Sequence, residues 1–233
     1  MSTIEPVFDA VCVGAHPDDV EIGMGATVAK MTAAGLRVAI VDLTDGEPTP
    51  HGTRELRAAE AMAAAGALGV KRRITLSQKN RYLFDTVEAR SELAEALREL
   101  RPRLLFAPYP QDAHPDHIAA AQICLGARFY SKFHKTEMRG EPYYPARLMH
   151  YMAVHLRLVV PPTFVVSCGE HLATKLHALS LYRSQFTENQ ANRGIVQMME
   201  DSAHHWGRIA GVEAAEPFFS TEPVAIDSPH LVL

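Results

Sequence analysis

Four short apolar runs, each followed by a segment with helical spacing, fix the kind of architecture open to this chain. Residues 8–15, 37–43, 73–76 and 103–107 read as strands, the third of them weak; residues 24–34, 53–68, 87–100 and 118–127 read as helices. Gly35 and Gly69 stand where helices stop, and Pro102 ends the third helix. Strand alternating with helix implies a mostly parallel sheet with helices on both faces, an α/β Rossmann-like fold with right-handed crossovers. Beyond residue 128 the pattern loosens. Strands are expected over 147–155 and 163–166, helices over 170–183 and 195–209, and residues 213–233 give little guidance. No repeat or linker interrupts the chain, so a single domain over residues 1–233 is expected.

Composition narrows the function classes. With 23 basic and 27 acidic side chains the net charge is −4, which gives no broad electrostatic reason for nucleic acid or an anionic membrane as partner. No apolar run approaches the ~18 residues needed to span a bilayer. The N-terminal stretch MSTIEPVFDAV has no basic and apolar leader pattern, so no secretory signal is read there. Three widely spaced cysteines (Cys12, Cys124, Cys168) in apolar surroundings point to core packing and a reducing, cytoplasmic setting. The unusual component is 12 histidines, so what matters is which of them cluster with carboxylates.

Two loops do so. Ala15-His16-Pro17-Asp18-Asp19-Val20-Glu21 follows the first strand, and Asp112-Ala113-His114-Pro115-Asp116-His117 follows the fourth. In the commonest orders of such sheets strands one and four are neighbours, and their carboxyl ends border the crevice where ligands bind. The site is therefore expected at the C-terminal ends of strands 1 and 4. His16 and Asp19, like His114 and His117, are spaced to face one way at a helix start. A catalytic zinc takes three protein ligands and leaves a position for water. Four candidate ligands exceed that need, leaving one imidazole and the other carboxylates for proton transfer. Taken singly, each tripeptide can be an ordinary turn, and Asp112 or His114 can simply cap the next helix. Two such tripeptides, each at a strand's carboxyl end, form a more specific signal. Among the other histidines only His150 and His155 lie where they can approach the crevice. A dinucleotide fingerprint is excluded by Val28 where glycine is required, and the acidic loop would repel a pyrophosphate.

AHPDDVEIG followed by HPDH resembles the LmbE-like, or PIG-L-like, zinc deacetylases of N-acetylglucosaminyl compounds. Asp45-Gly46-Glu47, the stretch from Gly52 to Arg57 with Glu60, and Tyr182-Arg183-Ser184-Gln185-Phe186 add to the resemblance, which spans residues 8 to about 190. The resemblance implies that His16, Asp19 and His117 hold Zn²⁺ or another divalent ion. It implies Asp18 as general base, and His114 as the imidazole that stabilises the oxyanion or protonates the leaving amine, tuned by Asp116. It implies Arg57, Tyr182 and Gln185 at the substrate, an N-acetylated amino-sugar conjugate, and a homo-oligomer, often a hexamer. The YRSQF segment is similar to the bacillithiol-pathway branch, whose substrate is N-acetylglucosaminyl malate. Ser167 stands where that branch often has Asp, and Asp112 stands where mycothiol-type relatives carry tyrosine. Rival readings are deacetylation of a chitin-derived disaccharide, a mycothiol-type amidase, and a metal- or sugar-binding module without turnover.

Overall fold

The computed structural model describes residues 5–153, 155–156 and 160–225. Its elements run β1 (Phe8–Gly14), α1 (Asp19–Ala33), β2 (Val38–Thr44), α2 (Arg54–Ala67), β3 (Arg72–Gln78), α3 (Val87–Leu100), β4 (Pro102–Pro108) and α4 (Pro115–Tyr130). They continue with β5 (Arg147–Tyr151), β6 (Phe164–Ser167), α5 (Gly169–Ser180), the short α6 (Arg183–Phe186), α7 (Ile195–Ala210) and β7 (Ala215–Phe219). The strands form one seven-stranded sheet in the order β3-β2-β1-β4-β5-β7-β6. The first five are mutually parallel, and β7 runs antiparallel to both β5 and β6.

Side-chain alternation along the strands divides the core in two. Ala10, Cys12, Val38 and Ile40 meet Val20, Met24, Ala61 and Leu179 of α1, α2 and α5 on one face. Val11, Val13, Ala39 and Val41 meet Leu93, Leu97, Ile123 and Cys124 of α3 and α4 on the other. Because both faces are covered, β2 is buried at every position and reads in sequence as an apolar run broken by Asp42. Thr53 and Thr86 cap α2 and α3; each hydroxyl accepts a backbone N–H from the first turn, that of Leu56 and of Ala89 respectively, at 3.2 Å. All three cysteines are free and buried, as packing residues should be. Among the described residues no helix is long and apolar enough to cross a membrane.

Among the departures from expectation, two boundaries and one strand stand out. Helix α1 starts at Asp19, not near Met24, because its first turn carries Asp19 and Glu21, which suit a helix N-terminus but hide the apolar period. The backbone leaves helical geometry at Met24 (φ −151°), which is where the regular pattern begins in the sequence. Strand β5 ends at Tyr151, short of the expected 155; of that overrun, position 154 lies outside the described residues. Strand β7 has no counterpart among the expected elements, since its sequence AEPFF has proline at its centre.

Candidate active site

Strands β1 and β4 are hydrogen-bonded neighbours, so the loops that leave their carboxyl ends meet. Two glycines let the first loop close. A Cβ on Gly14 would stand 2.8 Å from the His16 carbonyl oxygen. One on Gly46, whose φ is +73°, would stand 3.0 Å from Pro17 Cδ and 3.3 Å from Arg57 Nε. Asp18 itself has φ +120°, a conformation that L residues rarely adopt and that recurs at functional sites.

Asp19 lies between two imidazoles. Its Oδ1 is 3.2 Å from His117 Nε2 and its Oδ2 is 3.6 Å from His16 Nδ1. The opposite nitrogen of each ring is held by another carboxylate. His16 Nε2 pairs with Asp116 Oδ2 at 3.1 Å, and His117 Nδ1 pairs with Asp112 Oδ2 at 2.6 Å. Such carboxylate–histidine pairs fix ring orientation and leave the inner nitrogen free as a ligand atom. His16, Asp19 and His117 offer atoms all within 4.8 Å of one another, as do His16, His114 and Asp116. The first set fits a cation better. Ligand atoms about 2.1 Å from a tetrahedral ion stand about 3.4 Å apart, close to the contacts around Asp19. In the second set the Asp116 carboxylate is taken up by backbone N–H groups of Arg81 (2.7 Å) and Leu83 (3.3 Å) as well as by His16.

The charges agree. Burial alone would lower the His117 pKa, but Asp19 and Asp112 on its two nitrogens push it up to about 10. Burial likewise acts against the charge on Asp19, yet His117 and His16 hold its carboxyl well below the usual range. The centre thus favours a positive charge at the spot where a divalent ion would sit. Next to it, burial pushes Asp18 up to about 6, opposed by Arg57, whose Nη2 lies 2.9 Å from Asp18 Oδ2. A bound cation would pull that value down. His114 is held below its ordinary value by burial and by His16 and His117. Its Nδ1 accepts the Asp116 backbone N–H at 3.2 Å, so it caps α4, and the neutral ring carries its proton on Nε2.

The structure places His16, Asp18, Asp19, Arg57, His114 and His117 together on one open cleft of about 250 Å³, with Thr49, Asn80, Arg81 and His155 along its wall. Three expectations need correction. The Asp116 carboxylate hydrogen-bonds His16 and the backbone of residues 81 and 83, so it reaches His114 through its charge and through its backbone N–H and not through a carboxylate–imidazole bond. Tyr182 is fully buried, its hydroxyl donating to Glu21 Oε1 at 3.0 Å, so it has no surface to offer a substrate. Gln185 is also buried and donates to Ser184 Oγ (2.9 Å) and Thr49 Oγ1 (3.3 Å), tying α6 to the loop after β2. Arg57 does line the cleft, but its Nη2 is spent on Asp18 and the Pro17 carbonyl.

Turn chemistry marks Asp112 only as a helix cap, although it belongs to the same hexapeptide as its partner His117. Its Oδ1 also accepts the His155 backbone N–H at 2.8 Å, which brings that ring within 5.3 Å of His117. Beneath the centre, Arg73 spans Asp42 (2.7 and 2.9 Å) and Glu21 (2.6 Å) in a buried ion cluster. No spacing rule links those three positions, which the β2–β3 pairing and the packing of α1 on the sheet bring together.

Comparison with known proteins finds de-N-acetylases and proteins of the same fold. The family model described as "PIG-L: GlcNAc-PI de-N-acetylase" matches residues 11–127. The crystal structure of a conserved protein from Thermus thermophilus superposes with a TM-score of 0.88 at 38% identity, over 95% of this chain and 98% of that one. The N,N'-diacetylchitobiose deacetylase of Pyrococcus horikoshii, solved with its inhibitor, gives a TM-score of 0.78 at 27% identity, over 90% and 82% of the two chains. A relative from Catenulispora acidiphila named 1D-myo-inositol 2-acetamido-2-deoxy-alpha-D-glucopyranoside deacetylase 2 is 29% identical over 94% of this chain and 91% of its own.

Proposed function

The chain belongs to the PIG-L family of de-N-acetylases, hydrolases of N-acetyl amides, and from that premise we propose that it removes acetyl from an N-acetylglucosaminyl conjugate with a divalent ion, zinc by preference, held by His16, Asp19 and His117. A bound ion there supplies Lewis-acid polarisation of the acetyl oxygen and lowers the pKa of water from about 16 toward about 7. Asp18 takes the proton from the attacking water. Arg57 holds its carboxylate in place. His114, neutral and with its proton on Nε2, donates a hydrogen bond to the oxyanion, an interaction worth about 10²–10³ in rate. Since its Nδ1 is already an acceptor for backbone, the proton that reaches the leaving amine comes from Asp18. Water's oxygen ends on the acetyl carbon, the C–N bond breaks, and acetate and a free amine leave.

The observation that supports this reading most is the symmetry around Asp19: two imidazoles, each backed by its own carboxylate, with Asp18 beside them. The names of the Pyrococcus and Catenulispora proteins share a 2-acetamido-2-deoxyglucose unit and differ in what it is joined to. The malate conjugate rests on the YRSQF segment, whose Tyr182 and Gln185 are buried, so it stands beside chitobiose and the inositol conjugate in the test. Buried free cysteines support a cytoplasmic setting. Zinc-loaded protein is incubated with N-acetylglucosaminyl malate, N,N'-diacetylchitobiose and the inositol conjugate. Matched release of acetate and amine from at least one is expected. Metal bound with no release from any would favour a binding module.

A further inference from the structure

A second cavity borders the same centre. It holds about 380 Å³, is lined from α1, α5, α7, β7 and the stretch after β5, and shares Asp19, Ile22, His117, His155 and Ile195 with the polar cleft. Its walls are of another kind: Met152, Leu156, Ile195, Met198, Met199 and Trp206. The charges at its floor are already satisfied. Lys175 Nζ lies 2.6 Å from Glu216 Oε1, and the Glu216 carboxylate also accepts the backbone N–H groups of Ala26 (3.2 Å) and Thr27 (2.7 Å), which lie just past the irregularity in α1. On the α7 side Ser202, His205 and the indole N–H of Trp206 add the few polar groups. A hydroxyl-rich ligand would find few partners here, and an apolar chain would find several flexible methionines to pack against.

In a planar trans amide the acyl chain and the nitrogen's substituent lie on opposite sides of the C–N bond. With that carbon at the His16–Asp19–His117 centre, the sugar arm suits the cleft lined by Arg57, Asn80 and Arg81. The acyl arm then points into the apolar cavity. Acetyl ends in one methyl, comparable to the ~30 Å³ share of a water molecule, whereas this space is in the range of whole ligand pockets, from about 300 Å³ upward. We propose that the cavity is an acyl subsite and that the chain hydrolyses N-acyl amino-sugars with straight acyl chains of roughly four to eight carbons at least as well as N-acetyl ones. This rests on the deacylase reading above. The reaction balances as before: water's oxygen joins the acyl carbon, the C–N bond breaks, the proton goes to the amine, and a longer carboxylate replaces acetate.

The test uses metal-loaded protein and a series of glucosamines carrying N-acetyl, N-butanoyl, N-hexanoyl and N-octanoyl groups, scored by amine release. The expected result is a rise in kcat/KM of about two- to fourfold per buried methylene before a plateau. Ser202→Phe, which narrows the cavity away from the centre, should erase that rise and leave the acetyl rate within about twofold. A tenfold fall from acetyl to butanoyl in the unaltered protein would overturn the proposal. So would faster turnover of N-acetyl substrates with alkyl aglycones and no gain from longer acyl groups, since the cavity would then take the other arm.

Trp206 is the only tryptophan in the chain, and its emission reports occupancy without turnover. Octanoate added to metal-free protein should give a saturable change that acetate does not, and that Ser202→Phe abolishes. If no member of the series releases amine, the deacylase reading fails, and this titration still decides the cavity. A saturable response keeps it as a site for an acyl chain. No response, including the case where a second copy of the chain covers it, overturns the proposal.

Discussion

The loop after β1 and the loop after β4 each carry His-Pro-Asp, but the two are held in different ways. The first is a strained turn. Asp18 has a positive φ, two glycines make room around it, and its adjacent carboxylates are driven apart: burial raises Asp18 to about 6 while the histidines hold Asp19 low. The second is the ordinary start of a helix. Proline sits in its first turn, His114 caps it, and Asp112 and Asp116 are saturated by backbone N–H groups and by histidine rings. On the proposed reading the first loop supplies two ligands and the base, and the second supplies the third ligand, the oxyanion donor and the carboxylates that orient both rings. Neighbouring acids whose environments separate their ionisation are the pattern by which one pair performs two tasks.

That division can be broken, beginning with the largest expected effect. Asp19→Ala removes the one group that both imidazoles face. Metal content by mass spectrometry should drop to near zero, and activity should fall by at least about 10³-fold; full occupancy would remove Asp19 from the centre. Asp18→Asn should keep the metal and lose about 10²–10⁴ in kcat, so an unchanged rate would assign the proton to another group. On the orienting side, Asp112→Asn should weaken metal affinity about 10- to 100-fold without abolishing turnover at saturating metal. Competition with a chelator measures it, and affinity equal to the parent's would mean that the His117–Asp112 pair does not tune the site. The smallest effect is expected for Tyr182→Phe. Loss of the hydroxyl that bonds Glu21 should cost about 1 kcal/mol of stability and leave KM within about twofold, while a large rise in KM would return the tyrosine to the substrate.

The same contrast explains what was legible in sequence. The spacing of β1 through α4 shows which elements form and in what succession along the chain, and α3 falls at Val87–Leu100 as its amphipathic pattern indicates. The meeting of the two loops follows from β1 lying beside β4, which topology supplies. What a carboxylate touches is another matter. Asp112 and Asp116 sit in the same hexapeptide, yet one supports His117 and the other His16, a residue a hundred positions away. Turn chemistry explains why aspartate is there and says nothing of which ring it serves. Tyr182 departs from its expected role for a related reason. A motif marks a segment, whereas burial depends on α6 packing over α2, which brings Ser184 to Glu60 at 2.6 and 2.8 Å. Strand β7 depends on pairing with β5 and β6 on either side, so local pattern in AEPFF could not show it.

Anomalous diffraction from zinc-loaded crystals tests the central claim most directly. One peak per chain is predicted, within bonding distance of His16 Nδ1, an Asp19 oxygen and His117 Nε2, with His114 and Asp18 beside it and not bonded to it. A peak between His16, His114 and Asp116, or an ion bound away from Asp19, would contradict the account.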